Sequence, residues 1–139
     1  MTDSIRSNKA PKPVGPYPHA KKVGNLLFLS GIGPRKPGMK TIPGVELDET
    51  GNIISYDIVD QCRSVFENIR NILEDSGSHW DNLVDITVFL TNIKNDFPLY
   101  NQVYAEYFGN NQPCRTTVEV TALPTPIAIE LKCIATIRK

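Results

Sequence analysis

Two charged residues lie in stretches of the sequence that otherwise have the pattern of buried strands. Glu130 lies in the run 127–137, in which every odd position is apolar. A partly buried carboxylate needs a partner or acquires a raised pKa, and either property suits a group that transfers protons. Arg115 begins the run RTTVEV, and its guanidinium can bind a carboxylate bidentately, either that of Glu130 or that of a ligand. The alternative is that both side chains lie on a solvated strand face, as most Arg and Glu side chains do.

Polar side chains at the ends of predicted elements are further candidates for ligand contacts. Tyr17 lies between two prolines in GPYPHA, so a rigid backbone can present its phenol to a cleft or pack it over a sheet edge. Ser30 and Gly31 end the run LLFLSG, where a hydroxyl and free backbone N–H groups can face a ligand or form an ordinary turn. Asn101, on a predicted helix, either contacts a ligand or faces solvent. We expect the neighbouring aromatic residues to form core rather than a stacking platform: Phe97, Tyr100, Tyr104, Tyr107 and Phe108.

Other kinds of catalytic or cofactor site lack their sequence signatures. The run GIGPRK begins like a dinucleotide-binding loop, but Lys36 stands at the third glycine position and a proline-rich segment follows in place of a helix. The two histidines, His19 and His79, lie far apart and outside any metal-binding motif. There is no Walker loop and no GxSxG elbow. The sequence therefore predicts a site without a metal ion or an organic cofactor.

The composition indicates one folded domain without a basic surplus. A chain of 139 residues, 40% of them hydrophobic and 22% charged, suits a single domain over residues 1–139. The formal net charge is zero, whereas nucleic-acid binders usually carry excess Lys and Arg, so we expect no nucleic-acid partner. The N-terminus lacks the apolar run of a signal peptide, no stretch suits a membrane helix, and three cysteines form no CxxC pair. We therefore expect a cytoplasmic protein without a membrane partner.

The candidate residues depend on strands and helices that the apolar spacing predicts. Residues 1–13 should form an extended N-terminal arm, because prolines exclude a helix there. A buried strand follows at 26–31, and then a long irregular segment and a short strand at 53–55. Seven apolar residues at helical spacing predict a helix over 57–77, with Asp at its start as N-cap and Gly at its end as a stop.

The second half of the chain predicts a strand, a helix and two further strands. A helix is expected over residues 97–108 with Asp96 as its N-cap, and strands at 115–120 and 127–137. The first strand should have one apolar face, formed by Val84, Ile86, Val88 and Leu90. This order predicts an α+β fold in which two helices pack on one face of a mixed sheet. The other face of the sheet would then be covered by oligomerisation.

Successive segments of the chain together resemble the Rid (reactive-intermediate deaminase, YjgF-like) family. The resemblance spans residues 14–137 and is carried by GPYPHA, LFLSG, NLVDITVFLTNIKNDF, YNQVYAEYF, PCRTTVEV and IAIELKCIA. It implies a chorismate-mutase-like α+β fold and a homotrimer with ligand sites between subunits. It also implies that the protein hydrolytically deaminates an enamine or imine of a small carboxylate, without a cofactor.

The resemblance assigns roles to residues of this chain by local motif. Arg115 corresponds to the family arginine that holds the substrate carboxylate. Glu130 corresponds to the glutamate of the last strand, which positions water and handles protons. The other matches are Tyr17 as a catalytic residue, and Ser30, Gly31 and Asn101 as substrate-binding residues.

One position departs from the broad deaminase branch of the family. That branch has a cysteine two residues after the arginine, and its loop after the SG pair is shorter. This chain has Thr117 at the cysteine position, which we expect to be a further substrate-binding residue. Both features resemble the 2-aminomuconate deaminase branch, which implies a step of aromatic catabolism with 4-oxalocrotonate and ammonia as products. Arg35 in the long loop is the candidate anchor for the second carboxylate of this substrate, and the alternative is a solvated loop charge. A general 2-iminopropanoate deaminase and a non-catalytic protein that binds a 2-oxo acid are alternative functions.

Overall fold

A mixed six-stranded sheet forms the centre of the protein in a computed structural model, which describes residues 2–137. The strands in chain order are β1 (Thr2–Ile5), β2 (Ala20–Val23), β3 (Leu26–Leu29), β4 (Val45–Leu47), β5 (Ile53–Tyr56), β6 (Leu83–Leu90), β7 (Cys114–Glu119) and β8 (Ile129–Thr136). The large sheet has the order β1-β2-β3-β8-β6-β7, and β4 pairs with β5 in a separate hairpin. Within the large sheet β6 and β7 are parallel, and the other neighbours are antiparallel.

Two helices, α1 (Ile58–Asp75) and α2 (Ile93–Tyr107), pack together against one face of this sheet. α1 begins where the Asp57 carboxylate accepts hydrogen bonds from the backbone N–H groups of Val59 and Asp60, which confirms the predicted N-cap. In the described part of the chain, neither helix is long and apolar enough to span a membrane. The predicted α+β architecture is confirmed for one chain, and the trimer stays a prediction.

β8 lies in the middle of the sheet and supplies the most regular part of the core. Its odd-numbered residues have no exposed surface: Ile129, Leu131, Cys133 and Ala135. Its even-numbered residues, which include Glu130 and Lys132, are partly or fully exposed. Because successive side chains of a strand point to opposite faces, Glu130 lies on the face that the helices leave uncovered.

The second helix begins earlier than its sequence pattern predicts. It starts directly after Asn92, whose side chain caps it by accepting a hydrogen bond from the backbone N–H of Asn95 (3.2 Å). Asp96, the predicted cap, is buried inside the helix and accepts a hydrogen bond from the Tyr56 hydroxyl (2.7 Å). The prediction was wrong because Asp followed two residues later by Pro98 is also typical of a helix start.

The start of β6 contains a bulge that the alternation of its residues does not reveal. Its pairing with β8 shifts between Leu83 and Asp85. Leu83 is consequently 3% exposed, whereas Val84 is 43% exposed and lies off the face that was predicted for it. The other members of that face are buried as predicted: Ile86, Val88 and Leu90.

The N-terminal arm contributes an edge strand that the sequence analysis missed, because the run TDSI has no apolar periodicity. β1 pairs antiparallel with β2, and the chain between them is held by the buried His19 side chain. The His19 Nδ1 atom accepts a hydrogen bond from the backbone N–H of Ser7 (2.9 Å), and its Nε2 atom lies 2.7 Å from the carbonyl oxygen of Pro11. These contacts fix the course of the arm up to the GPYPHA segment.

Candidate functional site

A cleft of about 100 Å³ brings together four of the residues that the sequence singled out. Tyr17 comes from the N-terminal arm, Gly31 and Arg35 from the loop after β3, and Glu130 from β8. The rest of the lining consists of Val14, Gly33, Pro124, Thr125 and Ile127. Three segments that are distant in sequence thus converge on one carboxylate.

The backbone at Ser30 and Gly31 bulges at the edge of this cleft. Between the last β3–β8 pair and the isolated bridge of Ile32 with Leu131, the β3 side advances four residues while β8 advances three. Such an extra residue bends a strand and redirects side chains, and bulges are common beside active sites. The bulge turns the chain after β3 towards Glu130.

Ser30 connects the bulge to the segment that carries Tyr17. Its hydroxyl donates a hydrogen bond to the carbonyl oxygen of Pro18 (2.7 Å), and its backbone N–H donates one to the carbonyl oxygen of His19 (2.9 Å). In this structure the hydroxyl is thus engaged by main chain instead of facing a ligand. Ser30 therefore positions Tyr17 at the cleft.

Gly31 allows the Glu130 carboxylate to lie directly against the backbone. A Cβ atom added at Gly31 would lie 2.9 Å from the Glu130 Cδ atom and closer still to the Oε2 atom. Any side chain at this position would have to displace the carboxylate, because real Cβ atoms do not approach other atoms so closely. The glycine is therefore a requirement of the cleft and more than a strand-ending turn.

Glu130 has the electrostatic properties expected of a proton-transfer group. Partial burial raises its pKa, and the positive charge of Arg35 opposes this effect. Among residues 2–137, no hydrogen bond and no ion pair within 4.0 Å engages its carboxylate. A carboxylate that is half-buried and free of protein partners can accept a proton from a water or a substrate held in the cleft.

Arg35 lies in the cleft because its loop is bound to α1. The Asn68 side-chain amide donates hydrogen bonds to the carbonyl oxygens of Gly33 (2.9 Å) and Arg35 (2.8 Å). The guanidinium itself donates one to the carbonyl oxygen of Lys12 on the arm (3.1 Å). Sequence reasoning found Arg35 but missed Asn68, although an Asn on the apolar side of a predicted helix is a signal of such a role.

Arg115 lies away from this cleft, over three aromatic rings of α2. Its guanidinium carbon is 4.6 Å from the ring centre of Tyr104 and 5.6 Å from those of Phe97 and Tyr100. The hydroxyl groups of Tyr100 and Tyr104 are buried without a hydrogen-bond partner among the described residues. The prediction that these aromatics belong to the core is confirmed but incomplete, since three of them also stack on Arg115.

Arg115 and Glu130 are on opposite faces of the sheet within one chain. Arg115 pairs with Ile86 of β6, whereas Glu130 pairs with Phe89 of the same strand. Paired residues share a face, and residues three apart on a strand do not. One chain therefore presents two separate surfaces, called here the Arg115 half-site and the Glu130 half-site. Of the two carboxylates expected for Arg115, that of Glu130 and that of a ligand, the first is not its partner within one chain.

The remaining candidates lie with the Arg115 half-site. Thr117 is two residues from Arg115 on β7 and shares its face. Asn101 lies on α2, one turn from both Phe97 and Tyr104. Within the described chain, no group of three or more His, Cys, Asp and Glu side chains is arranged to hold a metal ion.

Comparisons with known proteins agree with both the fold and the extent of the resemblance. The family described as Endoribonuclease L-PSP matches residues 7–137. A RutC family protein of Pyrococcus abyssi is 44% identical over 131 residues, 94% of either chain. Reactive Intermediate Deaminase A of Arabidopsis thaliana, a chloroplastic protein, is 38% identical over 96% of this chain and 65% of its own length.

A solved structure shows the same architecture over nearly the whole length. The crystal structure of E. coli TdcF with bound serine superposes with a TM-score of 0.83 at 30% identity, and the match covers 98% of this chain and 99% of that one. The shared fold and the matched length lead to one assignment. The chain belongs to the Rid family, also called the YjgF or L-PSP family.

Proposed function

We propose that the protein hydrolyses an enamine or imine whose reacting carbon is bonded to a carboxylate, releasing ammonia and a 2-oxo acid. The observation that carries this proposal is the Glu130 carboxylate, held half-buried and without a protein partner between Tyr17 and Arg35. The name of the Arabidopsis relative, a reactive intermediate deaminase, supports this reaction class. The serine bound to TdcF supports a ligand of amino-acid size.

The chemistry needs a carboxylate anchor and a group that moves protons. An enamine tautomerises to an imine, and a guanidinium that binds the adjacent carboxylate orients the imine carbon. Glu130 removes a proton from water as the water attacks this carbon, and later donates the proton to the departing ammonia. Tyr17 lies in the same cleft, where its phenol can hydrogen-bond to the attacking water or to the nitrogen.

The proposed reaction combines the Arg115 half-site of one copy with the Glu130 half-site of another. Within one chain the two residues lie on opposite sheet faces, and the uncovered face contains both charged and apolar side chains. A ring of copies related by rotation places different patches against each other, which is the geometry that joins two unlike half-sites. We therefore propose a homotrimer with sites between subunits.

Within this class, 2-aminomuconate is the substrate that we propose. It carries two carboxylates, and the structure provides two arginines in the half-sites, of which Arg35 lies in the Glu130 cleft itself. A second carboxylate would be costly to desolvate without a cation nearby. Thr117 in place of the family cysteine also favours this branch. The products would be 4-oxalocrotonate and ammonia, as in aromatic catabolism.

An ammonia-release assay tests the function and separates the candidate substrates. Enzymatically generated 2-aminomuconate and 2-iminopropanoate are supplied in parallel, and ammonia is measured against the uncatalysed rate. Faster release from 2-aminomuconate supports the full proposal, and release from 2-iminopropanoate alone supports a general deaminase. No acceleration with either substrate, combined with binding of a 2-oxo acid, would contradict deamination and support a binding protein.

A further inference from the structure

A stripe of polar side chains runs along the otherwise apolar side of α1. This polar stripe consists of Gln61, Ser64 and Asn68, which are 0%, 5% and 0% exposed. Their spacing of three and four residues places them on one face of the helix. A buried polar side chain costs free energy unless it is hydrogen-bonded, so the contacts of the stripe indicate what it contributes.

Two members of the stripe bind three successive carbonyl groups of the loop after β3. The Asn68 amide nitrogen donates to Gly33 and Arg35, and the Ser64 hydroxyl donates to Pro34 (2.6 Å). Each contact holds a backbone carbonyl group in place. Together the contacts determine the path of the loop at Arg35, where its side chain begins. Beyond that point the guanidinium donates a hydrogen bond to the carbonyl oxygen of Lys12 (3.1 Å), so its position depends on the loop and on the arm.

Lys36, in the same loop, also binds two members of the polar stripe. Its ammonium donates hydrogen bonds to the Asn68 side-chain oxygen (3.0 Å) and to the Ser64 carbonyl oxygen (3.3 Å), and it pairs with Glu67 at 3.6 Å. The Asn68 amide therefore uses both its donor and its acceptor atoms on one four-residue stretch of loop. An aliphatic residue at this position would leave these carbonyl groups and the ammonium without their partner.

The third member of the stripe binds the segment between Ile127 and Glu130, which both line the cleft. The Gln61 side-chain oxygen accepts a hydrogen bond from the backbone N–H of Ala128 (2.8 Å), two residues before Glu130. Its amide nitrogen donates to the carbonyl oxygen of Gly44 (3.3 Å). One helix is thus fastened both to the loop that carries Arg35 and to the segment that leads into Glu130.

We propose that the polar stripe is a positioning device for the cleft, in which Asn68 sets the distance between the Arg35 guanidinium and the Glu130 carboxylate. The members of the stripe are absent from the cleft lining, so they act through Arg35 and β8 and are positioning residues. The inference rests on the proposed function for the role of Glu130 as a base. It goes beyond that function by assigning a positioning role to residues outside the cleft lining.

The charge that Asn68 positions is the guanidinium of Arg35, and this charge lowers the pKa of Glu130. Arg35 lines the cleft from the loop and lowers the pKa of Glu130 against the effect of burial. The other ionisable group that lines the cleft is Tyr17 on the arm. On β8 itself, the Lys132 ammonium donates a hydrogen bond to the carbonyl oxygen of Leu29 (2.9 Å). If the loop loosens, the average Arg35 charge moves away and the pKa of Glu130 rises.

The test compares Asn68→Ala, Arg35→Ala and the double variant in the full-length protein. The Glu130 carboxyl carbon is titrated by NMR, and the acid limb of kcat/KM is recorded alongside. Removing positive charge favours the protonated carboxyl, so each single variant should move the titration and the acid limb to higher pH. The double variant should show no further shift than Arg35→Ala, because Asn68 acts through Arg35.

Asn71→Ala, an Asn substitution on the same helix, is the matched control and should leave both titrations unchanged. If Asn68→Ala does not fold, Ser64→Ala removes one loop contact and is subject to the same comparison. A titration like that of the wild type, or additive shifts in the double variant, would overturn the inference even when thermal stability falls. If the wild type releases no ammonia, the proposed function fails, while the NMR titration still decides the positioning role.

Discussion

The side chains of Arg115 and Glu130 point to opposite faces of one sheet, because they pair with Ile86 and Phe89, three residues apart on β6. Within a single chain the sheet lies between the two groups. In the proposed reaction, which uses both residues on one small ligand, they therefore come from two copies of the protein. This relationship makes the quaternary structure part of the catalytic argument.

Mixing two inactive variants tests whether the site is shared between copies. Arg115→Ala and Glu130→Gln should each be inactive, since each lacks one half-site. After unfolding and refolding together, the proposed trimers, assembled at random, should contain intact sites at about a quarter of the interfaces, as expected for head-to-tail contacts. Ammonia release by the mixture at roughly that fraction of the wild-type rate supports shared sites. A mixture that assembles but stays inactive would contradict a site shared between copies.

Gly31→Ala should reduce activity without unfolding the protein. The new Cβ atom would come within 2.9 Å of the Glu130 Cδ atom, so the carboxylate must move away from its place in the cleft. We expect kcat to fall by about tenfold or more, which corresponds to roughly 1.4 kcal/mol in the barrier. Gly109→Ala is the control, because its Cβ would meet no atom closer than 3.9 Å. Unchanged kcat in Gly31→Ala would show that the position of Glu130 is not critical.

Arg35→Ala should change both substrate preference and pH dependence. Turnover of 2-aminomuconate should fall about tenfold relative to that of monocarboxylate imines, a loss of roughly 1.4 kcal/mol that suits one charged hydrogen bond. The positive charge of Arg35 lowers the pKa of Glu130, so its removal should move the acid limb of kcat/KM to higher pH. Lys40→Ala, on the same loop and exposed, is the control. Equal losses on both substrates would exclude Arg35 as the second carboxylate anchor.

The elements with uninterrupted periodicity could be predicted from the sequence, and the interruptions could not. The alternation of β8 and the apolar stripe and Asp57 cap of α1 match the structure. Val84 breaks its pattern because a bulge depends on pairing with β8, which is not encoded in β6 alone. Asp96 resembles a cap, but burial against Tyr56 decides its place, and that contact joins residues 40 apart.

The candidate residues of the cleft could be named in advance, whereas their relative positions could not. Tyr17, Arg35 and Glu130 meet as a consequence of sheet order, and strand order is a property of the whole fold. The opposite orientation of Arg115 follows from the register of β6 with its two neighbours. Asn68 was overlooked because its hydrogen bonds join it to a loop more than 30 residues away.

Two substitutions at Tyr104 separate the effect of its aromatic ring from the effect of its hydroxyl group. Tyr104→Phe keeps the ring 4.6 Å below the Arg115 guanidinium and removes a buried hydroxyl that has no partner among residues 2–137. We expect this variant to be as stable as the wild type or more stable, by about 1 kcal/mol in the free energy of unfolding, with KM little changed.

Tyr104→Leu removes the ring and should raise KM, because the guanidinium loses a cation–π contact that holds it in place. Denaturant unfolding and steady-state kinetics measure both effects. A Tyr104→Phe variant that loses activity as strongly as Tyr104→Leu would assign the hydroxyl, and not the ring, to ligand binding.

The most direct test of the account measures kcat for ammonia release in Glu130→Gln against the wild type, with Glu46→Gln on the exposed β4 strand as the matched control. Gln keeps the size of the side chain and removes its basicity, so kcat should fall about 100-fold or more with little change in KM. The control should retain wild-type turnover, and both variants should keep the quaternary structure of the wild type. Wild-type turnover in Glu130→Gln would contradict the proposal that this carboxylate is the base of a deaminase.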